Sequence, residues 1–262
     1  MQVQGKVVAI TGGANGIGKA LAERFHKEGA KGIAIFDIEK DTADRVAELV
    51  GGIALETDLR SESDIKESIA ATERILGPID LFCSNAGILY PDGPDGNVAS
   101  CPNDKWQLSW DVNVMAHVYV ARSLVPRMAA RGGGYFLITA SAAGLLSQIG
   151  SAAYSVTKHA AVGFAEALAI THGDDGIKVS ILCPQAVRTR MMGTSKNGGV
   201  AGLDGVMAPE DLAEAVMRGL AEESFLILPH AEVRQYMLNK ASNYDRWIGG
   251  MRKLRRRFRP AA

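Results

Sequence analysis

Residues 11–25 read TGGANGIGKALAERF and come directly after the short Val- and Ile-rich run KVVAI, residues 6–10. An apolar run that opens through glycines into a helical pattern reads as a strand turning into a helix. Gly12, Gly16 and Gly18 let the backbone turn tightly and let bare amides approach a pyrophosphate, whose charge the N-terminus of the following helix favours. Many strand-to-helix turns use glycine, so the next strand matters. It is GIAIFD, residues 32–37, and it closes on Asp37, nineteen residues after Gly18. An acid there accepts hydrogen bonds from both hydroxyls of an adenosine ribose and repels a 2′-phosphate. Neither Asn15 in the turn nor Ile38 and Glu39 beyond the acid supplies a compensating cation. The expected cofactor is therefore NAD rather than NADP.

Outward from this turn the pattern repeats. KVVAITG, GIAIFD, GIALETD, IDLFCSNAG, GGYFLITAS, IKVSILCPQ and SFLILP alternate with helical segments at 17–29, 40–50, 62–76, 104–130, 152–173 and 209–223. Runs that are apolar on both faces and separated by helices predict a parallel sheet covered on both sides. The expectation is one α/β, doubly wound, Rossmann-type domain over 1–262 with a seven-stranded parallel sheet. Two long irregular segments, 88–103 and 190–206, each follow a strand, on the side where such sheets bind ligands. Segment 190–206 holds five glycines and two methionines. It is expected to be a substrate lid.

Composition narrows the function classes. Lys+Arg and Asp+Glu balance at 29 each, giving no general drive toward nucleic acid or anionic membranes. The exception is RKLRRRFRP, 252–260, within a basic C-terminal tail at 252–262 that is read as a solvated, partly frayed terminus. The three cysteines, Cys83, Cys101 and Cys183, lack metal-ligand spacing, so no structural metal is expected. No apolar run approaches the ~18 residues of a membrane span, and no signal-peptide pattern precedes the first strand. A cytoplasmic protein is expected.

The chemistry is carried by SAAYSVTKHA, residues 151–160. Tyr154 and Lys158 stand at i and i+4 and share one helical face. A lysine held there favours the tyrosinate and pulls its pKa down from roughly 10. Thirteen residues earlier, ITASAAG puts Ser141 at the carboxyl edge of the fifth strand. His159 faces away from Tyr154, and with His26, His117, His172 and His230 it shows no triad or ligand spacing.

Taken together, these residues resemble the short-chain dehydrogenase/reductase family over nearly the whole chain. TGGANGIG matches its nucleotide motif, with Gly12, Asn15, Gly16, Ile17 and Gly18. Asp58 and Leu59 in TDL match its adenine-side acid, and Asn85, Ala86 and Gly87 match its NAG motif. Asn113 in DVNV matches the asparagine of its fourth helix, and Ser141, Tyr154 and Lys158 match its catalytic set. The resemblance implies that Tyr154 exchanges a proton with a substrate oxygen while hydride moves to or from the nicotinamide. It further implies that Ser141 steadies that oxygen, that Lys158 holds the ribose and lowers the Tyr154 pKa, and that Asn113 holds a relay water. After strand six the match loosens. PQAVRT puts Gln185 where the family has glycine, while Pro184, Val187 and Thr189 keep the nicotinamide-contact positions.

The expected activity is NAD-dependent interconversion of a secondary alcohol and a ketone on a medium-sized hydrophobic or aromatic substrate. Leu145, Leu146, Ile149, Met191 and Met192 are the expected pocket wall. The alternatives are a ketoacyl-type reductase using NADPH or NADH, and a non-catalytic dinucleotide-binding redox sensor. As the family commonly does, the chain is expected to form a homo-oligomer, a dimer or homotetramer, through the helices near 104–130 and 152–173.

Overall fold

Seven short runs dominated by Val, Ile, Leu and Phe form one fully parallel sheet, because helices of matching apolar pattern cover both of its faces. The computed structural model describes residues 1–193, 195 and 197–258. The strands are β1 (Val7–Thr11), β2 (Gly32–Asp37), β3 (Ile53–Glu56), β4 (Leu81–Ser84), β5 (Gly134–Thr139), β6 (Ile177–Leu182) and β7 (Leu226–Ile227). Their order is β3-β2-β1-β4-β5-β6-β7. The order reverses between β1 and β4, which opens a crevice at their carboxyl ends.

One face is covered by α1 (Gly16–Lys27), α2 (Lys40–Leu49) and α7 (Pro209–Glu222). Leu21 and Phe25 on α1 and Leu212, Val216 and Leu220 on α7 recur at helical spacing and are buried with Ile10 and Ile35. The other face is covered by α3 (Glu62–Leu76), α5 (Ala116–Ala130) and α6 (Ala152–His172). Ile65, Ile69, Leu124, Ala161 and Ala165 meet Phe36, Phe82 and Phe136 there. Each fully buried Phe or Leu contributes about 1.5–3 kcal/mol by leaving water. Ser61 caps α3, accepting from the Asp64 amide at 3.2 Å.

Three features depart from the sequence reading. The helix expected over 104–130 is two helices, α4 (Asn103–Trp110) and α5, joined by a π turn at Asp111–Met115. Periodicity over so long a window averages out one extra residue. The last strand has only two residues, since a sheet edge needs little ladder to end it. The basic tail is not frayed over 252–258. It forms the end of α9 (Tyr244–Phe258), which follows α8 (Glu232–Ser242). Trp247, Met251 and Leu254 at i, i+4 and i+7 give α9 an apolar stripe, and Arg255–Arg257 suit its negative C-terminal end. Residues 259–262 lie outside the described residues. Among the described residues no helix is long and apolar enough to cross a membrane, and no three metal-ligating side chains converge.

Candidate active site

The site begins with the β1–α1 turn. Gly12 takes a positive φ of 63°, and a Cβ on Gly18 would stand 2.2 Å from the Gly12 carbonyl oxygen, so only glycine lets α1 start this close to the strand. Asn15 precedes α1 without a side-chain cap, which leaves the first amides of the helix without a side-chain acceptor. Asp37, at the end of β2, accepts from the Ala14 amide at 3.0 Å and from the Glu39 amide at 3.1 Å. Its carboxylate is thereby aimed along the turn.

Asn85 joins three strand ends. Its amide nitrogen donates to the carbonyls of Thr11 and Gly12, and its oxygen accepts from the Thr139 hydroxyl at 3.1 Å. Ala86 and Gly87 follow it across the crevice, the Ala86 amide donating to the Thr11 hydroxyl at 3.1 Å. At the outer edge Asp58 is engaged by Arg60, whose Nε lies 2.9 Å from both carboxylate oxygens and whose hydrogen bonds hold the Asp58 carboxyl below its usual range. Leu59 beside it is buried.

On the other side of the crevice stand the chemistry-bearing residues. Ser141 follows β5 by two residues in extended conformation and accepts from the Ala143 amide at 3.1 Å, starting a tight turn at Ala142–Gly144. A Cβ on Gly144 would lie 2.4 Å from the Lys158 carbonyl oxygen, so the glycine lets this turn press onto α6. That contact sets Ser141 against Tyr154 and Lys158. Ser147, with φ of 148°, is a strained non-glycine residue in the connecting loop. The loop is held by the Gln148 amide donating to Ser155 at 2.6 Å.

The Lys158 ammonium donates to the Thr139 carbonyl at 3.0 Å, and its burial pulls the pKa down to about 8. Burial pushes the Tyr154 phenol above its ordinary value, with the nearby Ser141 hydroxyl pulling the other way. The sequence expectation of a phenol lowered by its lysine is thus reversed in the protein alone. Tyr154 is only 7 % exposed, and withdrawing a tyrosinate from water is the largest cause of the shift.

Asn113 sits in the π turn, fully buried. Its amide nitrogen donates to the Ile88 carbonyl at 2.9 Å and to Thr157 at 3.0 Å, and its oxygen accepts from the Ile88 amide at 2.8 Å. Its side chain therefore clamps the β4 loop to α6. Four residues on, His117 pairs with Ser84 at 2.6 Å. Burial and the nearby Lys158 charge push its pKa down to about 3. Sequence reading missed this pair, although His117 shares a helical face with Asn113.

Two cavities flank these groups. One of about 340 Å³ is bordered by Asn15, Gly16, Lys19, Arg188, Thr189 and Arg190. The glycine turn, the uncapped helix and this cleft fit a dinucleotide phosphate bridge. Pro184 accepts from the Ala142 amide at 2.8 Å, and Val187 bridges in parallel to Met207, which fixes the chain that carries Thr189. Arg190 bonds to Glu39 at 3.0 Å, and Asn15 donates to the same carboxylate. A cation thus reaches the ribose side from 151 residues away, already paired with an acid.

The larger cavity, about 560 Å³, opens at Ser141 and is bounded by Leu146, Gln185, Asp204, Trp247 and Met251 among others. Of the expected wall only Leu146 is present. Leu145 packs behind it in the same cluster, Ile149 does not line the cavity, and Met191 and Met192 follow Arg190, which is paired with Glu39 on the cofactor side. Val200, Ala201, Leu203 and Asp204 supply the lid side instead. Gln185 donates to Asp204 at 2.9 Å and Tyr236 donates to it at 3.0 Å, so the residue replacing the family glycine ties the 190–206 segment to the chain after β6 while Tyr236 ties it to α8. Within that segment Thr194 and Lys196 lie outside the described residues.

Comparison with known proteins agrees with this geometry. The chain matches the short chain dehydrogenase family over residues 6–198. It is 36% identical over 243 residues to 1-deoxy-11-beta-hydroxypentalenate dehydrogenase of Streptomyces exfoliatus, covering 89% of this chain and 86% of that protein. It is 31% identical over 194 residues to meso-2,3-butanediol dehydrogenase of Serratia marcescens, covering 73% and 75%. Among solved structures, 3-ketoacyl-(acyl-carrier-protein) reductase from Brucella melitensis complexed with NADH superimposes with a TM-score of 0.78 at 29% identity, over 87% of this chain and 95% of that one. A short chain dehydrogenase/reductase from Burkholderia phymatum in complex with NAD shares the fold, with a TM-score of 0.84 at 23% identity over 94% and 96%. With its glycine turn and its Ser141, Tyr154 and Lys158 gathered at the carboxyl edge of one parallel sheet, this chain belongs to the short-chain dehydrogenase/reductase family of oxidoreductases.

Proposed function

We propose that the protein interconverts a secondary alcohol and a ketone, with NAD as hydride carrier and Tyr154 as general acid and base. The convergence of Tyr154, Ser141 and Lys158 beside the glycine turn carries this reading. The hydroxyl-bearing compounds in the names of the hydroxypentalenate and butanediol dehydrogenases point the same way.

A bound nicotinamide would supply the hydride acceptor for oxidation of the carbinol carbon and the hydride donor for reduction of the ketone. Tyr154 takes the alcohol proton in one direction and gives it back in the other. Ser141 donates a hydrogen bond to the same oxygen and steadies its developing charge. In the resting protein that hydroxyl accepts from the Ala143 amide at 3.1 Å and donates only over a long 3.4 Å contact to the Pro184 carbonyl, so its proton can turn to substrate. Lys158, held by the Thr139 carbonyl, would bind the nicotinamide ribose hydroxyls and supply a positive field that favours tyrosinate once the site is loaded. Gly12, Asn15, Gly16, Ile17 and Gly18 would hold the pyrophosphate. Asp37 would hold the adenosine ribose, with Asp58 and Leu59 at the adenine. Asn85, Ala86 and Gly87 would line the nicotinamide side with Pro184, Val187 and Thr189. The larger cavity suits a medium-sized apolar or aromatic body.

The test is a screen of secondary alcohols and ketones with NAD and NADH, followed by Tyr154→Phe on the best substrate. The variant is expected to lose at least about a hundredfold in turnover while binding NAD almost as the parent does. Retention of parental turnover by Tyr154→Phe would overturn the assignment.

A further inference from the structure

Helix α9 forms a wall of the larger cavity from Arg246 to Arg257, a span of about 16 Å at the helical rise. Two stripes of this helix face the cavity. Trp247, Met251 and Leu254 make the first, and Trp247 packs on the Ala142 and Leu146 cluster beside Ser141. Arg246, Gly250, Lys253 and Arg257, at i, i+4, i+7 and i+11, make the second. The helix is fixed in place by Arg255, which donates to the Gly96 carbonyl at 3.0 Å, while Lys240 of α8 donates to the Leu145 carbonyl at 2.7 Å.

The electrostatics of this wall are one-sided. Arg246, Lys253 and Arg257 line the cavity, and among the described residues no carboxylate forms an ion pair with any of them. Among the described residues the one acid lining the same cavity is Asp204, which keeps its charge but has both oxygens engaged by the neutral donors Gln185 and Tyr236. A chain of zero formal net charge thus sets three unpaired cations around the space that opens at its catalytic serine. Three cations against one acid leave this lining net positive, which concentrates anionic ligands, and guanidinium forks match carboxylate and phosphate oxygens.

We infer that the substrate is anionic: its alcohol or ketone meets Ser141 and Tyr154, its apolar body lies along Leu146 and Trp247, and its oxyanion is drawn to the cationic stripe of Arg246, Lys253 and Arg257. This rests on the oxidoreductase reading above and narrows its substrate class to hydroxy and keto acids or phosphate esters of medium size.

The test uses matched ketones with the full chain and NADH: para-acetylbenzoate and para-acetylcinnamate against their methyl esters, and para-acetylphenyl phosphate against para-acetylphenol. The anion of each pair is expected to have a kcat/KM about ten- to a hundredfold higher than its neutral partner. That advantage should shrink as salt is raised. In Arg246→Gln/Lys253→Gln/Arg257→Gln the ratio should fall to near one, and Arg257→Gln alone should lower it in part if the triple variant folds poorly. Preference for the phosphate or for the carboxylates decides which oxyanion is bound. Equal kcat/KM within every pair, or a ratio that survives the substitutions, overturns the inference and leaves the oxidoreductase reading intact. If no ketone is reduced, calorimetry on the NADH complex separates the two. Binding selective for the anions and lost in the variant upholds the anion site and defeats the reduction of such ketones, whereas unselective or absent binding defeats the anion site.

Discussion

The Lys158 ammonium lies 5.7 Å from the centroid of the Tyr154 ring, and both side chains are buried. Burial acts on them in opposite senses, raising the phenol and lowering the ammonium to about 8, so each is held toward its neutral form. The folded protein therefore carries Lys158 charged below pH 8 at a cost in stability. Between about 8 and the ordinary 10.5, an unfolded chain binds a proton that the folded chain does not, so stability from this group rises with pH across that window. Lys158→Met is expected to be inactive yet more stable than the parent near pH 7 by roughly 1–3 kcal/mol, with the gap closing as pH passes from 8 toward 10. Urea unfolding of both proteins at several pH values checks this, and a parent more stable at neutral pH would contradict it.

Asp37 is the basis for preferring NAD. Asp37→Ala with Ile38→Arg is expected to shift the ratio of kcat/KM values toward NADP, since an anion is removed and a phosphate partner added. Arg190 is paired with Glu39 two residues along, so Glu39→Gln in that background should free a second cation and extend the shift. Equal use of NAD and NADP by the parent protein would remove the premise.

Asp204 fastens the 190–206 segment, through Gln185 to the end of β6 and through Tyr236 to α8. Losing a hydrogen bond to a charged group costs about 1.5–3 kcal/mol, so Asp204→Ala is expected to lower kcat/KM about tenfold or more with little change in NAD affinity. Amide exchange over 199–206 should quicken in the variant, and in the parent it should slow when NADH and a substrate analogue are bound. Unchanged protection in a saturated complex would reduce the segment to a connector. Met191 and Met192, which stand outside the cavity, should tolerate substitution without a change in substrate preference.

Helix α6 turns a stripe of Val156, Gly163, Ala167 and Ile170 to solvent, with Ile170 83% exposed. Small and apolar residues at this spacing let two helices approach closely. A homo-oligomer formed through α5 and α6 is expected, and Ile170→Arg should dissociate it at micromolar concentration as read by light scattering. A monomeric parent protein would end this proposal.

Much of this was legible from the residues because it depends on local rules. Glycines at 12, 16 and 18, an acid at the end of β2, and Tyr154 with Lys158 at i and i+4 each follow from turn geometry or helical spacing, and the structure gathers them in one crevice. What escaped was long-range. The replacement of Leu145, Ile149, Met191 and Met192 by α9 as a pocket wall depends on how the chain beyond β7 folds back, which no local pattern encodes. Arg190 reaching Glu39 and Gln185 reaching Asp204 are pairings across 151 and 19 residues. The raised phenol of Tyr154 escaped for another reason: spacing reveals the cation beside it, whereas its sign depends on how much water is excluded.

The π turn at 111–115 carries one consequence of angular phase. A residue added to a helix rotates everything beyond it by about 100° relative to everything before it. The half that follows the turn, with Val120 and Leu124 buried, and the half that precedes it, with Ser109 buried, therefore face inward only because of that offset. Removing any one residue from 111–115 would restore an unbroken α-helix and turn one half away from its partners. Asn113 could not then meet Ile88 and Thr157 while Val120 and Leu124 kept their places. In this protein the count of residues in that segment matters as much as their identity, and a deletion there would be read out at two distant surfaces at once.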